Sequence, residues 1–109
     1  MVRYIPKRGD IVWLEFNPRI GHEQSGVRPA LIIYNKKTGL CLAMPITSKI
    51  KGYPFEVILK TKNIQGVILS DQIKSLDFKS RKIKFCDKID KETFENALDK
   101  LSLLLFEDK

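Results

Sequence analysis

The chain has 109 residues, 43% of them hydrophobic and 30% charged, with a formal net charge of +7. Those values exclude a disordered or collagen-like chain and leave room for one domain with a real core over residues 1–109. No apolar run reaches the roughly 20 residues of a membrane helix, and Met1–Lys7 lacks a signal-peptide core, so a cytoplasmic protein is expected.

The first strand signal is 10–17 (Asp-Ile-Val-Trp-Leu-Glu-Phe-Asn). Ile11, Trp13 and Glu15 alternate with Val12, Leu14 and Phe16, so both faces carry apolar residues, as in a barrel strand or at an interface. The segment 21–29 (Gly-His-Glu-Gln-Ser-Gly-Val-Arg-Pro) comes next. Glycines bracket four polar side chains, and Pro29 biases Arg28 toward extended backbone. Such a loop can curl round a phosphate and end on a fixed cation, or it can be a solvated hairpin loop.

Apolar runs at 29–34 and 40–46 predict a hairpin turning through Asn35-Lys36-Lys37-Thr38-Gly39. Further strands are expected at 54–60, 66–70 and 82–88, with 70–75 as a polar turn. A helix follows, N-capped by Asp90 with Glu92 in its first turn. Phe94, Ala97, Leu98, Leu101 and Leu105 keep helical spacing. Leu103, Leu104 and Phe106 widen the stripe, which fits either a second contact such as a dimer partner or a helix end sunk into the core. The fold class expected is mainly β with a C-terminal helix, a small, strongly bent SH3-like β-barrel.

Charge is uneven. Residues 1–86 hold sixteen Lys and Arg against six Asp and Glu, a net +10, and residues 87–109 hold four against seven, a net −3. A basic body favours a polyanionic partner, nucleic acid first, although ordinary solvated lysines would look similar. Cys41 and Cys86 form no CxxC pair and read as buried reduced thiols. With His22 the only histidine, a four-ligand zinc site is hard to assemble. No cofactor is expected, and catalysis, if present, should be metal-independent.

Chemistry-bearing residues gather in four segments at strand ends. These are His22–Arg28, Pro45–Lys49, Lys51–Glu56 and Ser70–Ser75. In the third, lysines interleave with Tyr53 and Phe55 and could track a phosphate backbone while the rings stack bases, though Phe55 could equally be core. If RNA is cut, its own 2′-hydroxyl can be the nucleophile. The protein then needs a base, an acid and cationic stabilisation of the phosphorane. Arg28 suits the stabiliser role because a guanidinium forks onto two phosphate oxygens and does not readily give up its proton. Thr47 and Ser48 could bond the same phosphate. Glu23, His22 and Asp71 can accept a proton.

In order and spacing, these segments resemble the MazF/PemK (Kid) family of toxin endoribonucleases. The resemblance is carried by Arg3-Tyr4-Ile5-Pro6, Gly9-Asp10-Ile11-Val12-Trp13, Asn17-Pro18, Gly21 through Ala30, Pro45-Ile46-Thr47-Ser48, Lys51 through Val57 and Asp71 through Ser75. It fades after Ser75, where only a terminal amphipathic helix remains in common. It implies a PemK/CcdB-type barrel forming a homodimer. It also implies sequence-specific, metal-free cleavage of single-stranded RNA, mostly mRNA, to 2′,3′-cyclic phosphate and 5′-hydroxyl ends. A MazE-like antitoxin with a flexible acidic segment is the implied partner, with DNA binding in its company. Residue by residue, the family's catalytic pair falls on Arg28 and Thr47, with Glu23 in the active centre. The Kid-branch aspartate falls on Asp71, but the arginine that branch carries two residues earlier is Leu69 here, which places the chain nearer MazF and leaves Asp71 open as a turn residue.

RNA contacts are expected from Asn17, Gln24, Ser48, Lys49, Lys51, Tyr53, Phe55, Gln72 and Lys74. The alternatives are a non-catalytic nucleic-acid-binding barrel and a CcdB-like gyrase poison.

Overall fold

The computed structural model describes residues 4–16 and 26–106. Among these, seven strands and two helical elements follow in order. The strands are β1 (Asp10–Glu15), β2 (Val27–Asn35), β3 (Leu40–Thr47), β4 (Glu56–Lys60), β5 (Gln65–Leu69), β6 (Lys74–Asp77) and β7 (Ile83–Lys88). A 3₁₀ turn, Ser70–Gln72, stands between β5 and β6, and α1 (Lys91–Phe106) closes the described chain. The sheet runs β4-β5-β3-β2-β1-β7, with β6 paired to β3 off that path.

Strand β3 sets the curl. Its first half pairs with β6, from Leu40 opposite Asp77 to Ala43 opposite Lys74. Its end pairs with β5 instead, Ile46 opposite Ile68 and Thr47 opposite Val67. Register shifts also occur between Ile11 and Val12 where β1 meets β7, and between Ile32 and Tyr34 where β2 meets β3. Such irregularities bend the strand and increase its local twist. The result is a curled, half-barrel sheet with a C-terminal helix.

The two-faced apolar pattern of β1 has a direct structural cause: the strand contributes to two cores. Ile11 joins Leu31, Met44, Ile46, Leu59 and Ile68, and α1 covers that cluster through Ala97 with Phe94, Leu98 and Leu101 packed against it. Val12, Leu14 and Phe16 join Ala30, Ile32, Cys41, Leu76 and Phe78 on the other side. Trp13 shares the alternation of Ile11 but remains 40% exposed.

Asp90 caps α1 as expected, accepting the Thr93 N–H at 3.0 Å and the Thr93 hydroxyl at 2.7 Å. Two expectations change. Residues 70–75 are not simply a polar turn, because the 3₁₀ turn hands over to β6, where Leu76 alone is buried. The end of α1 is not sunk into the core either: Leu103, Leu104, Leu105 and Phe106 are all at least half exposed. Leu105, read as part of the buried stripe, lies beyond the sheet that the helix covers.

Cys41 and Cys86 are free thiols. Cys41 is buried and its thiol is pushed up to about 11, chiefly by that burial. Cys86 is half-buried rather than buried, because β7 is an outer strand of the sheet.

Candidate active site

The strand register brings the first candidates together. In the β1–β2 pair, Trp13 lies opposite Pro29 and Leu14 opposite Arg28. The β2–β3 pairing sets Ala30 opposite Pro45, and two further steps in the same register place Arg28 across from Thr47. These residues line one cavity of about 330 Å³. The polar and aromatic part of the lining comprises Arg28, Thr47 and Ser48 together with Trp13, Asn63 and Gln65. Val27, Pro29, Ile46 and Ile64 complete the lining. The volume falls within the range of ordinary small-ligand clefts.

Thr47 is nearly buried, with 7% of its surface exposed. Its Oγ1 accepts the Lys49 N–H at 3.2 Å, which leaves the hydroxyl's own proton able to donate into the cavity. The close pairing of β5 holds the same residue from behind: a Cβ on Gly66 would stand 2.3 Å from the Thr47 carbonyl oxygen. Only a glycine lets the two backbones approach this closely.

A second group of candidates lies on the loop leaving β3. Glu56 organises it by accepting the N–H groups of Gly52 at 2.9 Å and Lys51 at 3.2 Å. Gly52 takes φ +80° to close the turn. Tyr53 and Phe55 stand 5.3 Å apart with rings tilted by 35°, and the Lys51 ammonium lies 6.0 Å from the Tyr53 ring centre. Tyr53 is exposed and Phe55 half-buried. Lys49 and Lys51 are exposed beside them. The platform therefore combines cations with ring surface.

Asp71 is not in the cavity lining. It sits on the 3₁₀ turn, where burial first, and the nearby Glu56 carboxylate after it, raise its carboxyl above the ordinary value. Gln72 and Lys74 accompany it on the turn and on β6. The 3₁₀ turn meets the aromatic loop, the Ser70 N–H donating to the Phe55 carbonyl at 3.4 Å. Of the remaining candidates, Asn17, His22, Glu23 and Gln24 lie outside the described residues. No group of three or more His, Cys, Asp and Glu that could hold a metal ion occurs among the described residues.

Trp13, Asn63 and Gln65 were not candidates in the sequence. The one available signal was a tryptophan on a strand whose two faces are both apolar, since such a ring must be either core or a surface platform. Asn63 and Gln65 sit in and just after the short turn between β4 and β5, and nothing local marks them.

A curled β half-barrel with a terminal helix, carrying an arginine and a threonine across adjacent strands of one cavity, defines a small toxin-type fold with an arginine-bearing cleft. The chain belongs to the family described as PemK-like, MazF-like toxin of type II toxin-antitoxin system, which it matches over residues 7–105. It is similar to the endoribonuclease toxin MazF of Escherichia coli K12, with 48% identity over 83 residues, 72% of this chain and 75% of that one. A crystal structure of MazF from Deinococcus radiodurans superposes with a TM-score of 0.88 at 44% identity, covering 94% of this chain and 98% of that one. A MazE–MazF crystal structure from the same organism superposes at 0.83 with 42% identity, covering 97% and 100%. The family match runs well past Ser75, where motif resemblance fades.

Proposed function

We propose that the chain cuts single-stranded RNA at a short recurring sequence, without a metal ion, as the toxin of a toxin–antitoxin pair. The observation that carries this reading is the meeting of Arg28 and Thr47 in one cavity, from two strands, within an endoribonuclease family. The 2′-hydroxyl oxygen of the RNA attacks the adjacent phosphorus as its proton passes to a carboxylate or imidazole, drawn from Glu23, His22 or Asp71. The P–O5′ bond then breaks and the leaving oxygen takes up a proton. The products are a 2′,3′-cyclic phosphate and a 5′-hydroxyl. Arg28 stabilises the extra negative charge on the phosphorane, and Thr47 donates a hydrogen bond to a non-bridging oxygen. Ser48, Lys49, Lys51, Tyr53, Phe55, Gln72 and Lys74 hold the strand on either side, with Asn17 and Gln24 in the preceding loop.

The partner is an antitoxin whose acidic segment competes with RNA for the basic body, as the MazE–MazF complexes of Deinococcus radiodurans suggest by similarity. The toxin works as a homodimer in the cytoplasm, each chain acting as one domain, and binds DNA in company with its antitoxin. No helix among the described residues is long and apolar enough to cross a membrane.

The test is incubation of the purified protein with a long single-stranded RNA in excess EDTA, with fragment ends mapped. Cuts at one recurring sequence with cyclic phosphate ends, slowed about 10²–10³-fold by Arg28→Ala, support the reading. RNA that is bound but stays intact points to the non-catalytic barrel, and inhibition of DNA gyrase to the CcdB-like alternative.

A further inference from the structure

The proposed chemistry uses only part of the cavity lining. The remaining lining includes Trp13, Asn63 and Gln65, which have no part in a phosphoryl step. We propose that this part of the lining is a nucleobase subsite: the Trp13 ring stacks one base of the RNA, adjacent to the phosphate held by Arg28 and Thr47, while Gln65 reads that base's edge. The inference rests on the ribonuclease reading for its ligand but not for its geometry.

Three observations carry it. First, Trp13 is a large apolar side chain left 40% exposed on the wall of a cavity, although its neighbours Val12 and Leu14 are fully buried. An indole face accepts any base, and its exposure is explained if a base covers it.

Second, this part of the lining is held in place before any ligand arrives. Trp13 donates a hydrogen bond to the Cys86 thiol on β7. Asn63 Nδ2 reaches both the Cys86 carbonyl, at 3.4 Å, and the Asp87 carboxylate, at 3.3 Å. Thr61 bonds the same Asp87 carboxylate, which with the neighbouring N–H groups holds that group below its usual range. The Thr61 hydroxyl in turn accepts the N–H groups of Asn63, at 3.2 Å, and Ile64, at 3.1 Å. The β4–β5 turn is thus tied to β7, fixing ring and amide relative to each other. A preorganised platform loses less entropy when a ligand binds.

Third, the distance is set by the sheet. Trp13 is the cross-strand partner of Pro29, the residue after Arg28. Trp13, Arg28 and Thr47 line the same cavity, so a phosphate on Arg28 and Thr47 has its attached nucleoside within reach of the ring. The exposed Gln65 side chain offers both an amide donor and an acceptor, which suits a base edge better than a phosphate.

Trp13 is the only tryptophan in the chain, so its fluorescence reports the subsite directly. The probe is a single-stranded oligonucleotide of the mapped cleavage sequence with 2′-deoxy sugar at the cut, or a mixed-sequence deoxy-oligonucleotide if no cutting is found. Quenching of Trp13, relieved when one position is made abasic, is the expected result. On cleavable RNA, Trp13→Ala should raise KM about 5- to 150-fold with kcat largely retained, Trp13→Phe should restore most of it, and Gln65→Ala should relax base preference at that position alone.

Unchanged fluorescence together with wild-type KM in Trp13→Ala overturns the subsite while leaving the nuclease reading intact. If RNA is never cut, quenching that depends on the single base still supports the subsite although the nuclease reading fails. Quenching by an acidic peptide but by no oligonucleotide overturns it and assigns this part of the lining to a protein segment.

Discussion

Gly66 and Thr47 touch backbone to backbone, so that a side-chain carbon on Gly66 would lie 2.3 Å from the Thr47 carbonyl oxygen and 3.0 Å from its carbonyl carbon. No flexible side chain is available to yield there. Gly66→Ala should push β5 away from the end of β3, costing about 1–3 kcal/mol of stability as overpacking does. Because Thr47 is carried on the displaced segment, cleavage should fall further than thermal melting predicts. Denaturant unfolding and single-turnover cleavage on the same preparation check both. A variant as stable and as active as wild type would remove Gly66 from the site's support.

The Tyr4 hydroxyl donates to the carboxylate of Asp10, which also accepts the Lys7 N–H at 3.0 Å and lies 3.4 Å from the Lys88 ammonium. Asp10 is 2% exposed, so losing its phenol partner strands part of a buried charge. Tyr4→Phe should cost about 1.5–3 kcal/mol.

The same bond has a pH signature. Burial first, and Asp10 after it, raise the Tyr4 phenol above its ordinary value. A group whose folded value is raised stabilises the fold while protonated, so the contribution is complete below about pH 10 and is lost as pH rises beyond it. Alkaline denaturation of wild type should therefore be steeper than that of Tyr4→Phe, measured by unfolding between pH 8 and 11.

Asp71 carries the opposite consequence at neutral pH. Its carboxyl is raised by burial and by Glu56, so the fold favours the protonated form, an advantage present below about pH 4 and lost as pH rises through the folded value. Ionised at pH 7, it weighs against the fold. Asp71→Asn should melt higher than wild type at pH 7, with the gain shrinking on acidification. Its cleavage rate assigns the role: a change within a few-fold marks a turn residue, and a loss of about 10²-fold or more marks the proton acceptor.

The exposed end of α1 makes a prediction about assembly. Leu103, Leu104, Leu105 and Phe106 are 56%, 50%, 64% and 80% exposed, an apolar cluster of the kind that marks an interface. If it contributes to the homodimer, the double variant Leu104→Lys with Phe106→Lys should shift sedimentation toward the monomer without lowering the melting temperature of the monomeric fold. A dimer of unchanged affinity would place the interface elsewhere.

Most of the fold was legible in local pattern. Strands β1 to β5 and β7, the Asn35–Gly39 turn and the Asp90 cap all follow from alternation, glycine placement and capping chemistry, which depend on near neighbours in the chain. Strand β6 was not legible. Its four residues, Lys74–Asp77, carry one buried apolar side chain and become a strand only by pairing with β3. The fate of Leu103–Phe106 was equally hidden, since a widened stripe reads the same whether it ends in a core or in solvent.

For the site, the sequence by itself determined the chemical inventory: Arg28 before a proline, Thr47 closing a buried strand, and a lysine-rich loop with two aromatics. Only the tertiary structure decided the grouping. The β2–β3 register brings Arg28 and Thr47 together, Asp71 is held beside Glu56 instead, and Trp13, Asn63 and Gln65 join the lining of the same cavity, the β4–β5 turn being tied to β7. The physical reason is range: backbone preference and polarity act over a few residues, whereas a cavity is made by pairings between distant segments whose energies are settled only when the whole sheet packs.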